Sequence, residues 1–240
     1  MKLYEQSILF IAIILLGSAC ERETYEIKST SSVYVINAAV DNGPIRVNVG
    51  AGNGFSYSKA TDLAFGTSNI YGAFSGGNKI TVVNSLDTTK TVFNRTLNLE
   101  GVSTLYIAGQ VPITDTIFQA EKNLPYISQG NINNPDNSFY LRFVNLSPNS
   151  NPLSINIKQS TVKETTSLGY KSISQFKKYE ALTTTANYIF EITDPITNRL
   201  LATYTLNTGN NRFKTISLVI KGLVDGTGVN AFGVFVVAYS

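Results

Sequence analysis

The side chains able to do chemistry in this chain are few in kind. Its 240 residues include no histidine and no tryptophan, one cysteine, and one methionine at the start. Without imidazole there can be no Ser-His-Asp or Cys-His pair and no histidine general base. A single thiol excludes an internal disulfide, a thiolate metal cage and a CxxC redox pair. Catalysis would therefore fall to carboxylates, and paired acids at a fixed separation are what glycoside hydrolysis needs. The candidates are Asp62, Asp87, Asp115, Asp194 and Asp225. All but Asp62 lie in or beside Asp-Thr, Asp-Pro or Asp-Gly pairs, where a short acid caps a turn. No GxSxG, SxxK, P-loop or EF-hand pattern occurs. The expectation is a protein that is not an enzyme and holds no catalytic residues, metal or cofactor.

Binding chemistry has more to work with. Residues 131–240 carry ten Lys or Arg against six Asp or Glu, while residues 31–130 carry six of each. Lys171, Lys177 and Lys178, set around Phe176 and Tyr179, form a candidate cationic patch for an anionic glycan or another surface polymer. The same lysines would equally serve to guard an edge strand against pairing. The formal net charge of +3 is too small to point to nucleic acid. All 26 aromatics are Phe or Tyr, which suits a buried core and leaves some tyrosines as a platform for sugar stacking.

The first twenty residues read MKLYEQSILFIAIILLGSAC. A cationic Lys2 precedes an apolar run, Ile8 to Leu16, that is too short to span a bilayer. Small residues then lead to Cys20, completing the three parts of a secretory signal. The arrangement resembles the lipobox of bacterial lipoproteins, in which the cysteine becomes the lipid-modified first residue. Here Gly17 stands where leucine is usual, and Leu16 lies one residue further back. Lipidation at Cys20 explains both why there is one cysteine and where it sits. The implied location is the outer membrane, with the lipid as the contact to the membrane. Glu21, Glu23 and Glu26 behind the cysteine look like a surface-export signal within a polar tether.

The elements that must position any binding site are strands. Beyond the tether, short β-branched and aromatic runs such as 33–39, 45–49, 79–83, 91–97 and 103–108 alternate with Gly, Asn, Pro and Ser. No segment keeps helical periodicity over three turns. A shift of 108 residues lays VYVINAAVDNGPIRVNV (33–49) over LRFVNLSPNSNPLSINI (141–157), matching Asn37 with Asn145 and Pro44 with Pro152. Further on, Leu105-Tyr-Ile-Ala-Gly matches Leu218-Val-Ile-Lys-Gly. The expected organisation is a signal peptide (1–19), a lipidated cysteine and tether (20–31), one sandwich (32–128), a linker (129–137) and a second sandwich (138–240). The fold class is all-β: two tandem immunoglobulin-like antiparallel β-sandwiches of about seven strands each. With few contacts expected from the linker, the second copy should fold alone. Its apolar last run, 230–239, should be either internal to that sandwich or covered by the first copy.

The run Leu141-Arg-Phe-Val-Asn-Leu-Ser-Pro148, followed by an Asn-Pro turn and an alternating strand, resembles the opening of a bacterial cell-surface family. That family is catalogued as domain of unknown function 4397. The first copy departs from the motif with Tyr34 in place of the arginine and Ala39-Val40 in place of Ser-Pro. The resemblance implies exported, lipid-anchored tandem sandwiches and supplies no catalytic residues. The functional expectation is an envelope lipoprotein used for surface binding, adhesion or structure, its partner a glycan or another surface protein. The alternative is a carbohydrate-binding accessory to a glycan-uptake system.

Overall fold

A computed structural model of the chain describes residues 28–50, 55–127, 136–181 and 187–239. The signal segment, Cys20 and most of the expected linker therefore lie outside the described residues. The described chain is all-β, and among its residues no helix is long and apolar enough to cross a membrane.

Seven strands come from the first copy: β1 (Thr30–Asn37), β2 (Ile45–Val49), β3 (Thr67–Phe74), β4 (Gly76–Asn84), β5 (Thr91–Leu99), β6 (Val102–Gln110) and β7 (Ile113–Ala120). They form two sheets, ordered β3-β1-β6-β7 and β2-β4-β5. Eight follow from the second: β8 (Ser138–Asn145), β9 (Leu153–Ile157), β10 (Lys163–Leu168), β11 (Lys177–Glu180), β12 (Asn187–Asp194), β13 (Arg199–Asn207), β14 (Thr215–Lys221) and β15 (Gly233–Ala238). Their sheets run β11-β8-β14-β15 and β10-β9-β12-β13. Pairing is antiparallel except between β1 and β6 and between β8 and β14, which are parallel.

The duplication extends to hydrogen-bond register. Val35 lies opposite Leu105, and Phe143 lies opposite Leu218. A register shift interrupts β4–β5 between Val82 and Val83, and another interrupts β12–β13 between Ile192 and Thr193. Asn37 and Asn145 also do the same work. Each is fully buried, and its amide donates to a loop carbonyl, Leu63 O and Leu168 O respectively, at 3.0 Å. Each side-chain oxygen accepts from the backbone two residues on, Ala39 and Ser147. A buried asparagine satisfied on both ends ties the strand to the turn that follows it.

Strand alternation sends Val33, Val35, Leu105 and Ile107 into the core between the first pair of sheets. Leu141, Phe143, Leu218 and Ile220 enter the second core in the same way. The intervening residues face out, and here the structure departs from expectation. Ile36, Ala38, Tyr106 and Ala108 of the first copy share one buried cluster with Val144, Leu146, Val219, Val237 and Tyr239 of the second. The β3-β1-β6-β7 sheet thus packs on the β11-β8-β14-β15 sheet, giving four stacked layers. The run 230–239 is both internal and covered, because β15 pairs with β14 while Val237 and Tyr239 lie against the first copy. An interface on their outer face explains why strands β6, β8 and β14 are buried along almost their whole length.

A polar network threads that interface. Arg142 donates to both oxygens of Glu121, at 2.5 and 3.0 Å, with both side chains buried. Its Nε donates to Ser217 Oγ at 2.9 Å, and Nη2 is shared between Glu121 and the hydroxyls of Tyr239 at 2.8 Å and Tyr106 at 3.1 Å. The Phe176 ring covers the guanidinium at 4.4 Å. Burial is the largest single influence and works against the cation, but the Glu121 hydrogen bonds and the charge interactions with Tyr106, Tyr239 and Glu121 together hold Arg142 above its ordinary value. Position 34, where the motif carries arginine in the second copy, instead packs the Tyr34 ring edge-on against Tyr239 at 5.0 Å.

Candidate functional site

The three lysines of the expected cationic patch are separated and occupied. Lys177 and Lys178 lie on β11, an edge strand, and Lys171 lies on the loop before it. Lys171 Nζ donates to Asp115 at 2.9 Å, Lys177 to Glu164 at 2.7 Å and Lys178 to Asp136 at 2.7 Å. Each charge is met by a carboxylate, while the lysine side chains stay 43–58% exposed. The edge position fits the protective role of lysine. Cys20 lies outside the described residues.

The five aspartates are equally committed, and each is held below the ordinary carboxylate range. Asp62 is held there by hydrogen bonds from Ser85 and Arg46. Thr89 does the same for Asp87, whose oxygen caps that turn at 2.6 Å from Thr89 Oγ1. Asn151 and Thr197 hold Asp194, which also accepts from the Ile196 amide. Arg199 holds Asp225. Asp115 is the departure from the turn-cap expectation, since it lies in β7 and bonds Lys171 and Tyr170 of the second copy. Carboxyls kept ionised in this way have no proton to donate near neutral pH. Among the described residues no group of three or more His, Cys, Asp or Glu could hold a metal ion.

An open cleft lies elsewhere, along one side of the first sandwich. There β2 and β3 form the borders of the two sheets, and a cleft of about 520 Å³ opens between them. Its walls include Ser31, Val49, Gly50, Ala73, Phe74 and Asn78. A second hollow of about 270 Å³ continues it past Val47, Phe55, Thr61, Asn69 and Tyr71. Neither hollow is lined by a charged residue. Phe55 and Phe74 stand 42% and 60% exposed at its mouth. Burial pushes the Tyr71 hydroxyl up, so it stays protonated and able to donate.

No family model and no curated protein matches the chain. Two solved β proteins align at low similarity. The Bacillus anthracis TIE protein matches 88% of this chain with a TM-score of 0.25 and 10% identity, and the chain spans only 44% of its length. The tip fimbrial protein Mfa3 from Porphyromonas gingivalis, truncated at its C-terminus, matches 88% of this chain and 100% of its own, with a TM-score of 0.24 and 11% identity. Likenesses this distant transfer no role.

The alternation of strands and the repeat foreshadow where the sheets end, but not the cleft. Nothing in the composition of β2 or β3 marks an opening. The one available signal is a mismatch between the repeats: Lys163–Leu168 reads as a strand, while the first copy has Tyr57–Lys59, a single 3-10 turn, in its place.

Proposed function

We propose that this chain is a non-enzymatic protein of the bacterial cell envelope, anchored by lipid at Cys20 and displayed for binding or adhesion. The observation that carries the binding role is the uncharged cleft beside β2 and β3, whose walls offer apolar, hydroxyl and amide groups but no acid or base. Pockets of this make-up hold ligands by shape and a few polar contacts. The proposal of membership in family 4397 rests on the Leu141–Pro148 motif alone.

The test is a binding array of glycans and peptides, paired with a hydrolysis panel on the same compounds. Saturable binding without turnover is the expected result. Turnover abolished by an Asp→Asn change would overturn the reading. For the anchor, Cys20→Ala should leave a precursor that takes up no labelled palmitate and leaves the outer-membrane fraction, since no other thiol can accept the lipid. Protease shaving of whole cells tests display, and complete protection would place the protein on the periplasmic face. A second reading, a carbohydrate-binding accessory, is favoured by Phe55, Tyr71 and Phe74 lying near Asn69 and Asn78, an aromatic and amide pairing that suits neutral sugars.

A further inference from the structure

The two copies differ at one place that matters for binding. In the second, β10 pairs antiparallel with β9, placing Leu168 opposite Leu153 and Thr165 opposite Ile155. That strand also closes the sandwich, because Glu164 accepts from Lys177 at 2.7 Å and from the Tyr179 hydroxyl at 2.6 Å on β11, the border of the facing sheet. Among the described residues of the first copy, only the Leu168–Leu153 contact has a counterpart. Leu63 bridges Ile45 just as Leu168 meets Leu153, and the two leucine carbonyls are held by the equivalent Asn37 and Asn145. Past Ile45, no described strand continues along β2 on that side.

The backbone there faces outward. Ile45 spends its N–H and C=O on Leu63, and Gly50 donates to Lys79 on β4. Antiparallel strands alternate their bonding direction from residue to residue, so Val47 and Val49 turn their N–H and C=O groups away from β4, to the cleft side. Both residues line the hollows. Tyr71 and Ala73 of β3 point into the same sandwich and pack at the edge of its core. Side chains dropped between the sheets would land on these two and on the valines.

From this we infer that the first sandwich is a strand acceptor. It takes an extended, uncharged peptide segment of a partner protein antiparallel to β2, in the place β10 fills on β9. Main-chain bonds to Val47 and Val49 supply affinity, and alternate apolar side chains entering the cleft supply specificity. The internal copy provides the template for the occupant, and the absence of charge on the walls selects against Lys, Arg, Asp and Glu at the inward positions. This deepens the reading of the cleft as a binding surface and depends on it.

The test is selection from a displayed library of random ten-residue peptides against the full chain. The selected family should alternate β-branched or aromatic residues with uncharged polar ones. Its binding should fall at least tenfold in Ala73→Leu, which fills the cleft from β3, and in Val49→Pro, which removes one N–H. The Ala73→Leu protein should keep the melting behaviour of the parent, because the added atoms enter open space. Amide exchange at Val47 and Val49 should slow on binding. Equal binding to the Ala73→Leu protein, or no selected family, overturns the inference. Neutral glycans held in the cleft without any peptide overturn it while leaving the envelope-binding role intact. Self-association abolished by Ala73→Leu overturns it too, since the occupant would then be a second copy of the chain. Failure of both the peptide library and the glycan array to yield a cleft ligand would sink both readings.

Discussion

Single residues carry the contact between the two halves. Removing one partner of a buried ion pair strands the other charge, a cost of roughly 3–5 kcal/mol. Glu121→Leu should lower stability by about that amount, because Arg142 would keep only the hydroxyls of Tyr106, Ser217 and Tyr239. Adding Arg142→Met should recover part of the loss, and chemical denaturation of the single and double variants measures both. Asp115 gives the contact its pH dependence. Its carboxyl lies below its ordinary value, so its contribution is complete above the unfolded value and is lost as pH falls through the folded one. Asp115→Asn should therefore lose less stability than the parent between pH 6 and pH 2, as followed by thermal melts. The paired asparagines were visible in the sequence as aligned letters. Their shared duty as loop clamps was not, because an asparagine beside a turn former is equally a turn residue.

At the scale of elements, the repeat holds where backbone geometry leaves little choice. Gly109 and Gly222 occupy equivalent ends of β6 and β14 with φ of +88° and +80°. A Cβ at Gly109 would meet Ile113 O at 2.6 Å, and one at Gly222 would meet Ala231 O at 2.2 Å. Gly109→Ala and Gly222→Ala should each cost about 2 kcal/mol or more, from left-handed strain and backbone collision together. A fall in denaturation midpoint at constant slope would show it, and an unchanged midpoint would contradict it. The strands themselves were legible because period-two patterning names the inward residues. What patterning could not convey is that Ile36, Ala38, Val144 and Val219 face a second sheet rather than water. An outward apolar residue looks the same on a solvated face as on a covered one until its partner is known. The parallel pairing of β1 with β6 was hidden for a similar reason, since long-range neighbours leave no local signature.

For the whole molecule, the shared cluster buries apolar residues of both halves against each other, and this bears on whether the second copy folds alone. A fragment covering residues 138–240 would expose Val144, Leu146, Val219, Val237 and Tyr239 together with an unpaired Arg142. It should melt below the full chain and self-associate, as read by size-exclusion chromatography beside a thermal scan. A monodisperse fragment melting with the parent would show the interface to be dispensable. The cluster also sets a limit on growth. Each copy gives the same face, the sheet containing its first strand, to the contact, so the pair closes on itself as an isologous dimer does. A third repeat appended to the gene would find no such face free. Lengthening by further duplication would need a joint on some other face.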